Sequence, residues 1–202
     1  MGKMPEIGIV ILAAGASRRL GEPKQLLAFE GEILLRRAAK TALASNCSPI
    51  VVVLGAEAEI LKNELKGLDV EIVENGEWEN GMNGSINIGL SKLLEINSRT
   101  QAVLLMVCDQ PFLTVDVIDQ ITREYEESKA LIVACEYAET VGVPALFDKN
   151  LFPQLKNLKT KGGAKKLIER FLSETITVAF PAGVFDIDTP ADWLKLREIE
   201  NQ

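Results

Sequence analysis

GIVILAAGASRRLGEPKQLL, residues 8–27, opens on an unbroken apolar run, Ile9 to Leu12, and turns at once into small residues and cations. The run lacks the polar alternation of a half-exposed strand. It predicts a strand buried on both faces, as in a parallel sheet covered by helices. Ala13-Ala14-Gly15-Ala16-Ser17 then leaves the strand at its carboxyl end, where open α/β sheets bind ligands. Small side chains let backbone N–H groups approach an anion closely, and Gly15 can adopt a positive φ. Arg19, a planar fork, and Lys24, a point charge, could then neutralise phosphate oxygens. The competing reading is a surface loop with ordinary solvated cations. Two familiar phosphate motifs do not fit: G-x-G-x-x-G is absent from this loop, and the chain has no Gly-Lys-[Ser/Thr] sequence.

Outward from this stretch the same pattern recurs. Ile50–Leu54, Ala102–Val107 and Ala130–Cys135 read as further buried strands, with shorter candidates at Val70–Val73, Val143–Phe147 and Thr175–Phe180. Amphipathic helical spacing lies between them, over Ile33–Ala44, Ala56–Leu65, Ser85–Ile96, Thr114–Glu127 and Gly163–Leu172. Thr189-Pro190-Ala191-Asp192 reads as a capping sequence that opens a last helix. Alternating strands and helices with short connections define an α/β class with a mostly parallel sheet. Val141 to Lys161 breaks the rhythm with two prolines, which predicts an insertion or antiparallel flap beside the main sheet.

The 202 residues suit one domain with a substantial core. Net charge is −7, which argues against general nucleic-acid binding or attachment to an anionic membrane, though not against a local basic pocket. The chain has no histidine, so the commonest general base and zinc ligand are missing and a Ser-His-Asp or Cys-His hydrolase is excluded in its usual form. Cys47, Cys108 and Cys135 are widely spaced among apolar neighbours, as expected of reduced, buried thiols. No signal peptide or membrane span is evident, and a cytoplasmic protein is expected.

Two aspartates could hold a metal. Asp109 follows the strand Ala102–Val107 and is stopped by Pro111, so it faces the crevice of the first loop or else merely starts a turn. Asp186 and Asp188 flank Ile187, so only one of them should face that crevice. Separated carboxylates meeting at a phosphate suit Mg²⁺, which keeps waters and phosphates among its ligands. Asp192 reads as a helix cap. Asn80-Gly81-Met82-Asn83-Gly84-Ser85 leads into a helix; its N–H groups and the Ser85 hydroxyl could meet a base, ribose or phosphate, or Ser85 could simply be the cap.

Taken together, the chain resembles the MobA-like nucleotidyltransferases, and within them the molybdenum cofactor cytidylyltransferases. Leu12-Ala13-Ala14-Gly15-Ala16-Ser17-Arg18-Arg19-Leu20-Gly21, followed by Lys24, is similar to the family's L-A-A-G-x-S-x-R-M-G-x-x-K. Gly81-Met82-Asn83-Gly84-Ser85-Ile86 resembles its G-M-x-x-S-[LI], Cys108-Asp109-Gln110-Pro111 its D-Q-P, and residues 186–193 its D-I-D-T-P-x-D-[WLF]. The resemblance implies one nucleotidyltransferase domain over residues 1–202, with a Rossmann-like, mostly parallel sheet of the nucleotide-diphospho-sugar transferase type, helices on both faces and a small acceptor-side insertion. It implies Mg²⁺-dependent transfer of NMP from an NTP to an acceptor phosphate. Leu12, Ala13, Ala14, Gly15, Arg19, Lys24, Gly81 and Ser85 would bind the nucleotide, Asp109 and Asp188 the metal, with Arg19, Lys24 and Asp109 catalytic. Ala14 stands where the guanylyl-transferring branch usually has glycine, which favours CTP over GTP.

Molybdenum-bearing molybdopterin would be the acceptor, with a molybdoenzyme or its chaperone as partner. Two acceptor-side motifs depart from the family: Gly142-Val143-Pro144 stands for G-H-P, and Thr160-Lys161-Gly162-Gly163-Ala164-Lys165 for G-D-x-G-A-R. Lys161 and Lys165 keep positive charge, consistent with an anionic acceptor. A different phosphorylated acceptor, such as a sugar or alcohol phosphate, and a non-catalytic chaperone for a nucleotide or cofactor are the alternatives.

Overall fold

The computed structural model describes residues 6–158 and 162–200. A seven-stranded sheet forms the centre. β1 (Ile7–Ala13) lies between β4 (Ile50–Leu54) and β6 (Ala102–Val107) and is parallel to both. β5 (Glu71–Glu74) extends the parallel part beyond β4. On the other side β8 (Thr140–Asp148) runs antiparallel to β6 and β7 (Ile132–Tyr137), and β9 (Thr175–Ala179) closes that edge parallel to β7. A small hairpin, β2 (Ala28–Phe29) with β3 (Glu32–Ile33), stands apart.

The apolar runs are buried on both faces because each strand's alternate residues feed two separate cores. Ile9, Ile11, Val52 and Leu104 face α1 (Leu34–Leu43), α2 (Ala58–Glu64) and α4 (Val115–Ser128). Val10, Leu12, Val53 and Leu105 face α3 (Met82–Ile96), α5 (Phe152–Lys156) and α6 (Gly163–Arg170). Helix α3 packs so near the sheet that a Cβ on Gly89 would lie 2.5 Å from Val10 Cγ1 and 2.7 Å from Val53 Cγ2. α7 (Pro190–Glu200) begins with the expected cap: the Asp192 carboxylate accepts the Thr189 N–H at 2.9 Å and the Thr189 hydroxyl at 2.7 Å. A third cluster joins Leu20, Leu27 and Phe29 to Ile187 and Leu196, fastening the C-terminal segment beneath the first loop.

One expectation is corrected. Residues 143–147 form a strand and run antiparallel, as expected, but residues 141–148 are not a flap beside the sheet; they belong to β8, inside it. Pro144 would be costly in an interior strand because it donates no ladder hydrogen bond. It is accommodated at an irregularity: pairing with β7 jumps from Ala134–Ala145 to Cys135–Gly142, and pairing with β6 begins at Ala145. The proline thus falls where neither neighbour pairs. Residues 149–158 then add a short turn and α5 to the face of α3.

Candidate active site

The carboxyl ends of β1 and β6 open onto a crevice of about 210 Å³. Leu12, Ala13, Ala14, Gly15, Lys24, Gly81, Ser85 and Asp109 all line it, so segments far apart in the sequence meet there. Arg19 is outside this lining: its guanidinium lies at the rim, 2.6 Å from the Asp188 carboxylate.

The first loop is held from within. Gln25, almost fully buried, donates through Nε2 to the Ala13 carbonyl at 2.9 Å and to the Gly15 carbonyl at 2.7 Å. The Ala14 carbonyl accepts the Ala56 N–H at 3.1 Å. All three carbonyls are therefore turned onto protein. The N–H groups of Gly15, Ala16 and Ser17 have no acceptor among the described residues. A run of backbone donors at a strand end is suited to an anion. The positive φ expected at Gly15 occurs instead at Ser17, at 51°, and Gly21, at 88°. Ser17 carries it because its hydroxyl is engaged locally, accepting the Lys24 N–H at 3.0 Å.

Lys24 stands between two carboxylates. Its ammonium donates to Asp109 Oδ2 and, at 2.8 Å, to Asp188 Oδ1. Burial pulls the lysine's pKa down, but the Asp109 charge and the hydrogen bonds to both carboxylates outweigh it and hold the pKa well above the ordinary lysine value. Burial likewise works to raise the Asp188 pKa, and the Lys24 hydrogen bond and charge, with Arg19, bring it below the usual carboxylate value. Of the Asp186–Asp188 pair, Asp188 makes these bonds, while the Ile187 side chain between them is buried in the third cluster. Burial and the nearby Asp109 and Asp188 charges raise the pKa of Asp186.

Among the described residues no group of three or more acidic, cysteine or histidine side chains is placed to hold a metal ion, so a divalent cation here would rest on the two carboxylates, with waters and phosphates completing its shell. Asp109 Oδ1 is buried and has no hydrogen-bond partner among the described residues, and the Asp188 carboxylate is tied to the same ammonium. Oxygen donors alone, with room for waters and phosphates, match the preferences of a hard ion such as Mg²⁺.

Three polar or aromatic contributors, Gln25, Asn75 and Trp78, carry no signal in the sequence, and Gln110 enters there only as part of the D-Q-P stretch, without a role. Trp78 lines the crevice, and the Arg18 guanidinium lies 5.7 Å from its ring centroid while pairing with Glu79 at 2.6 Å. Gln110, nearly buried, donates to the Val143 carbonyl at 3.2 Å and the Gly183 carbonyl at 3.3 Å. It thereby ties the Asp109 turn to β8 and to the segment that carries Asp186 and Asp188. Ser85 does not cap α3: Gly81, with φ of 102°, is the cap residue, and Ser85 lies inside the helix, where it accepts a hydrogen bond from Asn75. Of the two cations expected to face an acceptor, Lys165 is exposed on α6, and Lys161 lies outside the described residues. Cys47, Cys108 and Cys135 are free and buried, and burial pushes the Cys108 thiol up to about 12, which leaves it inert as a nucleophile.

A mixed, mostly parallel sheet with helices on both faces, backbone amides left free after its first strand and a lysine between two carboxylates defines a Rossmann-like α/β protein. More narrowly, residues 9–175 match the MobA-like NTP transferase domain, and the chain belongs to that family. Among curated relatives it is 28% identical to nicotine blue oxidoreductase of Paenarthrobacter nicotinovorans, covering 96% of this chain and 97% of that one. It is also 28% identical to the purine catabolism protein PucB of Bacillus subtilis, over 93% and 94% of the two chains. Against the molybdenum cofactor cytidylyltransferase of Escherichia coli the identity is 24%, over 96% and 97%. Among solved structures, Rv0371c of Mycobacterium tuberculosis superposes with a TM-score of 0.80 at 29% identity, over 96% and 98% of the chains. That protein has also been solved in complex with manganese, with a TM-score of 0.77 at 27% identity over 96% and 98% of the chains. Among the described residues, no helix is long and apolar enough to cross a membrane.

Proposed function

We propose that this nucleotidyltransferase carries CMP from CTP to the phosphate of molybdenum-bearing molybdopterin, releasing pyrophosphate and forming the cytosine dinucleotide cofactor. The observation that carries the nucleotidyl-transfer part is the first loop: its carbonyls are fastened to protein while its amides are left for an anion, next to Lys24 and two carboxylates. Ala14 in the lining and the full-length likeness to a molybdenum cofactor cytidylyltransferase support the choice of CTP and of this acceptor.

In this reading the backbone of Leu12–Gly15, with Gly81 and Ser85, seats the nucleotide. The nucleophile is an oxygen of the acceptor phosphate, ionised at neutral pH, so a chain without histidine needs no strong general base. That oxygen bonds to the α-phosphorus as the bond to the β-phosphate oxygen breaks. Catalysis comes from alignment and charge neutralisation. Arg19 and Lys24 stabilise charge gathering on the departing pyrophosphate. Asp109 and Asp188 would hold Mg²⁺, which when bound supplies further neutralisation at the reacting phosphates.

A second reading, transfer to a sugar or alcohol phosphate, is favoured by the departures at Gly142-Val143-Pro144 and Thr160–Lys165. A pyrophosphate-release assay with each NTP, with and without molybdenum-loaded molybdopterin, separates the cases. Release with CTP only when that acceptor is present supports the proposal. Release with GTP but not CTP overturns the base assignment. Release only with another phosphorylated acceptor overturns the molybdopterin assignment, and no release with any acceptor indicates a binding protein without catalysis.

A further inference from the structure

Asn75, just after β5, is one of the few polar side chains wholly removed from solvent, at 1% exposure. Its amide orientation is pinned. Oδ1 accepts the Glu77 backbone N–H at 3.0 Å, so Nδ2 is the group that meets Ser85 Oγ, also at 3.0 Å. Gly84 makes room for this approach, since a Cβ there would lie 3.3 Å from Asn75 Nδ2.

An amide N–H₂ can only donate, so the Ser85 oxygen is the acceptor of this bond and its own proton must point elsewhere. Among the described residues no acceptor takes that proton, and Ser85 lines the crevice. The same crevice is lined by Ala14, Trp78, Gly81 and Met82, which offer a flat ring apolar walls; its other polar side chains are Lys24, Gln25 and Asp109, which the first loop and the carboxylate cluster engage. One oriented hydroxyl in such surroundings discriminates by which edge of the ring it meets.

We propose that Asn75 is a positioning residue that fixes the Ser85 hydroxyl as a hydrogen-bond donor to the nucleotide base, and so selects a base presenting a ring acceptor there. Cytosine offers O2 and N3 side by side; the corresponding guanine edge presents N–H donors at N1 and N2. This inference rests on the reading of the crevice as a nucleoside triphosphate site.

The test is calorimetric titration of the purified protein with CTP and with GTP, in Mg²⁺ and without acceptor. It is run on the wild type, Ser85→Ala, Asn75→Ala, the double variant and Asn75→Asp, with melting curves to confirm folding. The wild type binds CTP more tightly than GTP. Ser85→Ala removes a single oxygen and lowers that ratio about tenfold, as does Asn75→Ala, in keeping with the loss of one oriented hydrogen bond. In the Ser85→Ala background Asn75→Ala changes the ratio less than about twofold, because the two act as one unit. Asn75→Asp accepts the Ser85 proton instead of donating, and moves the ratio further toward GTP than alanine does. The proposal is overturned if Ser85→Ala keeps the ratio, if Asn75→Ala weakens both nucleotides equally, or if its effect persists without Ser85. A wild type that prefers GTP also overturns it. A wild type that binds no nucleoside triphosphate overturns the functional reading and this inference with it, whereas failure among the variants alone leaves that reading standing.

Discussion

The two sides of Asp109 are built differently. On the β1 side, the loop after one strand is held mainly by residues close to it in sequence: Gln25 reaches back to Ala13 and Gly15, and Ser17 receives the Lys24 N–H, while the Ala56 N–H on the Ala14 carbonyl is a tie from further along the chain. On the β8 side, distant segments are pinned together: Gln110 bonds Val143 and Gly183, and the Ile187 N–H donates to the Asp109 carbonyl at 3.2 Å. The first side is a compact local device, and the second is an assembly that exists only when the sheet is complete. A locally built site can keep its chemistry while the assembled side changes its ligand, which fits a family whose members share the whole chain but carry different names.

The largest expected effect is at the seam. Asp109→Ala should reduce nucleotidyl transfer by about a thousandfold or more, whichever acceptor is used, since both halves of the reaction depend on charge control there. Circular dichroism should show the fold retained. Full activity of this variant with Mg²⁺ as the only metal would remove Asp109 from the reaction and dissolve the seam.

Next comes the local device. Gln25→Ala leaves the Ala13 and Gly15 carbonyls without their donor, a cost of about 1–3 kcal/mol in stability. It should also raise the KM for the nucleotide about tenfold or more, with the acceptor KM unchanged. A variant whose acceptor KM rises instead would show that the first loop is not an independent unit.

Legibility in the sequence follows the same division. β4 and β6 lie at Ile50–Leu54 and Ala102–Val107, as their unbroken apolar runs indicate, because a strand covered on both faces writes its burial directly into composition. The Thr189–Asp192 cap was legible because it is made within four residues. By contrast, Val143–Phe147 reads as a strand and as antiparallel, both of which hold, but its place inside the sheet is not legible, since Pro144 argues against an interior strand unless the irregular pairing with β7 is known. Gln25 and Asn75 look like ordinary polar residues in the chain, and Gln110 shows only as the middle of D-Q-P, with no partner implied. What makes them buried staples is a partner that the chain itself does not point to: Gln25 and Asn75 find theirs within 12 residues, at Ala13, Gly15, Glu77 and Ser85, and Gln110 only across the fold, at Val143 and Gly183. The residues that line the crevice were therefore easier to name than the residues that hold them.

A smaller effect should appear with acid. Lys24 and Arg19 keep the Asp188 carboxylate below its ordinary pKa, so the folded protein binds fewer protons at this site than the unfolded chain. The resulting stability is fully present above about pH 4, the unfolded value, and fades as pH falls through the lower folded value. Because Asp188 is one-third exposed, solvent screening keeps the contribution modest. Melting temperatures should be nearly level from pH 7 to about 5 with respect to this group, and Asp188→Asn should shrink the drop seen on going below about pH 4. A drop of unchanged size in that variant would place the acid sensitivity elsewhere.

The smallest expected effect lies furthest into the assembled side. Lys165 is exposed on α6, whose first residue, Gly163, is close to the crevice wall: a Cβ there would lie 3.1 Å from Met82 Sδ. On the proposed function, a solvated cation in that position would attract an anionic acceptor without ordering it, so its effect should be weak and sensitive to salt. Lys165→Ala should raise the acceptor KM about threefold at low ionic strength, and the difference should shrink at about 0.5 M salt as screening shortens. The nucleotide KM and melting temperature should not move. If nucleotide binding weakens instead, α6 belongs with the first loop rather than opposite it, and the boundary between a locally built nucleotide side and an assembled acceptor side would have to be redrawn through α3.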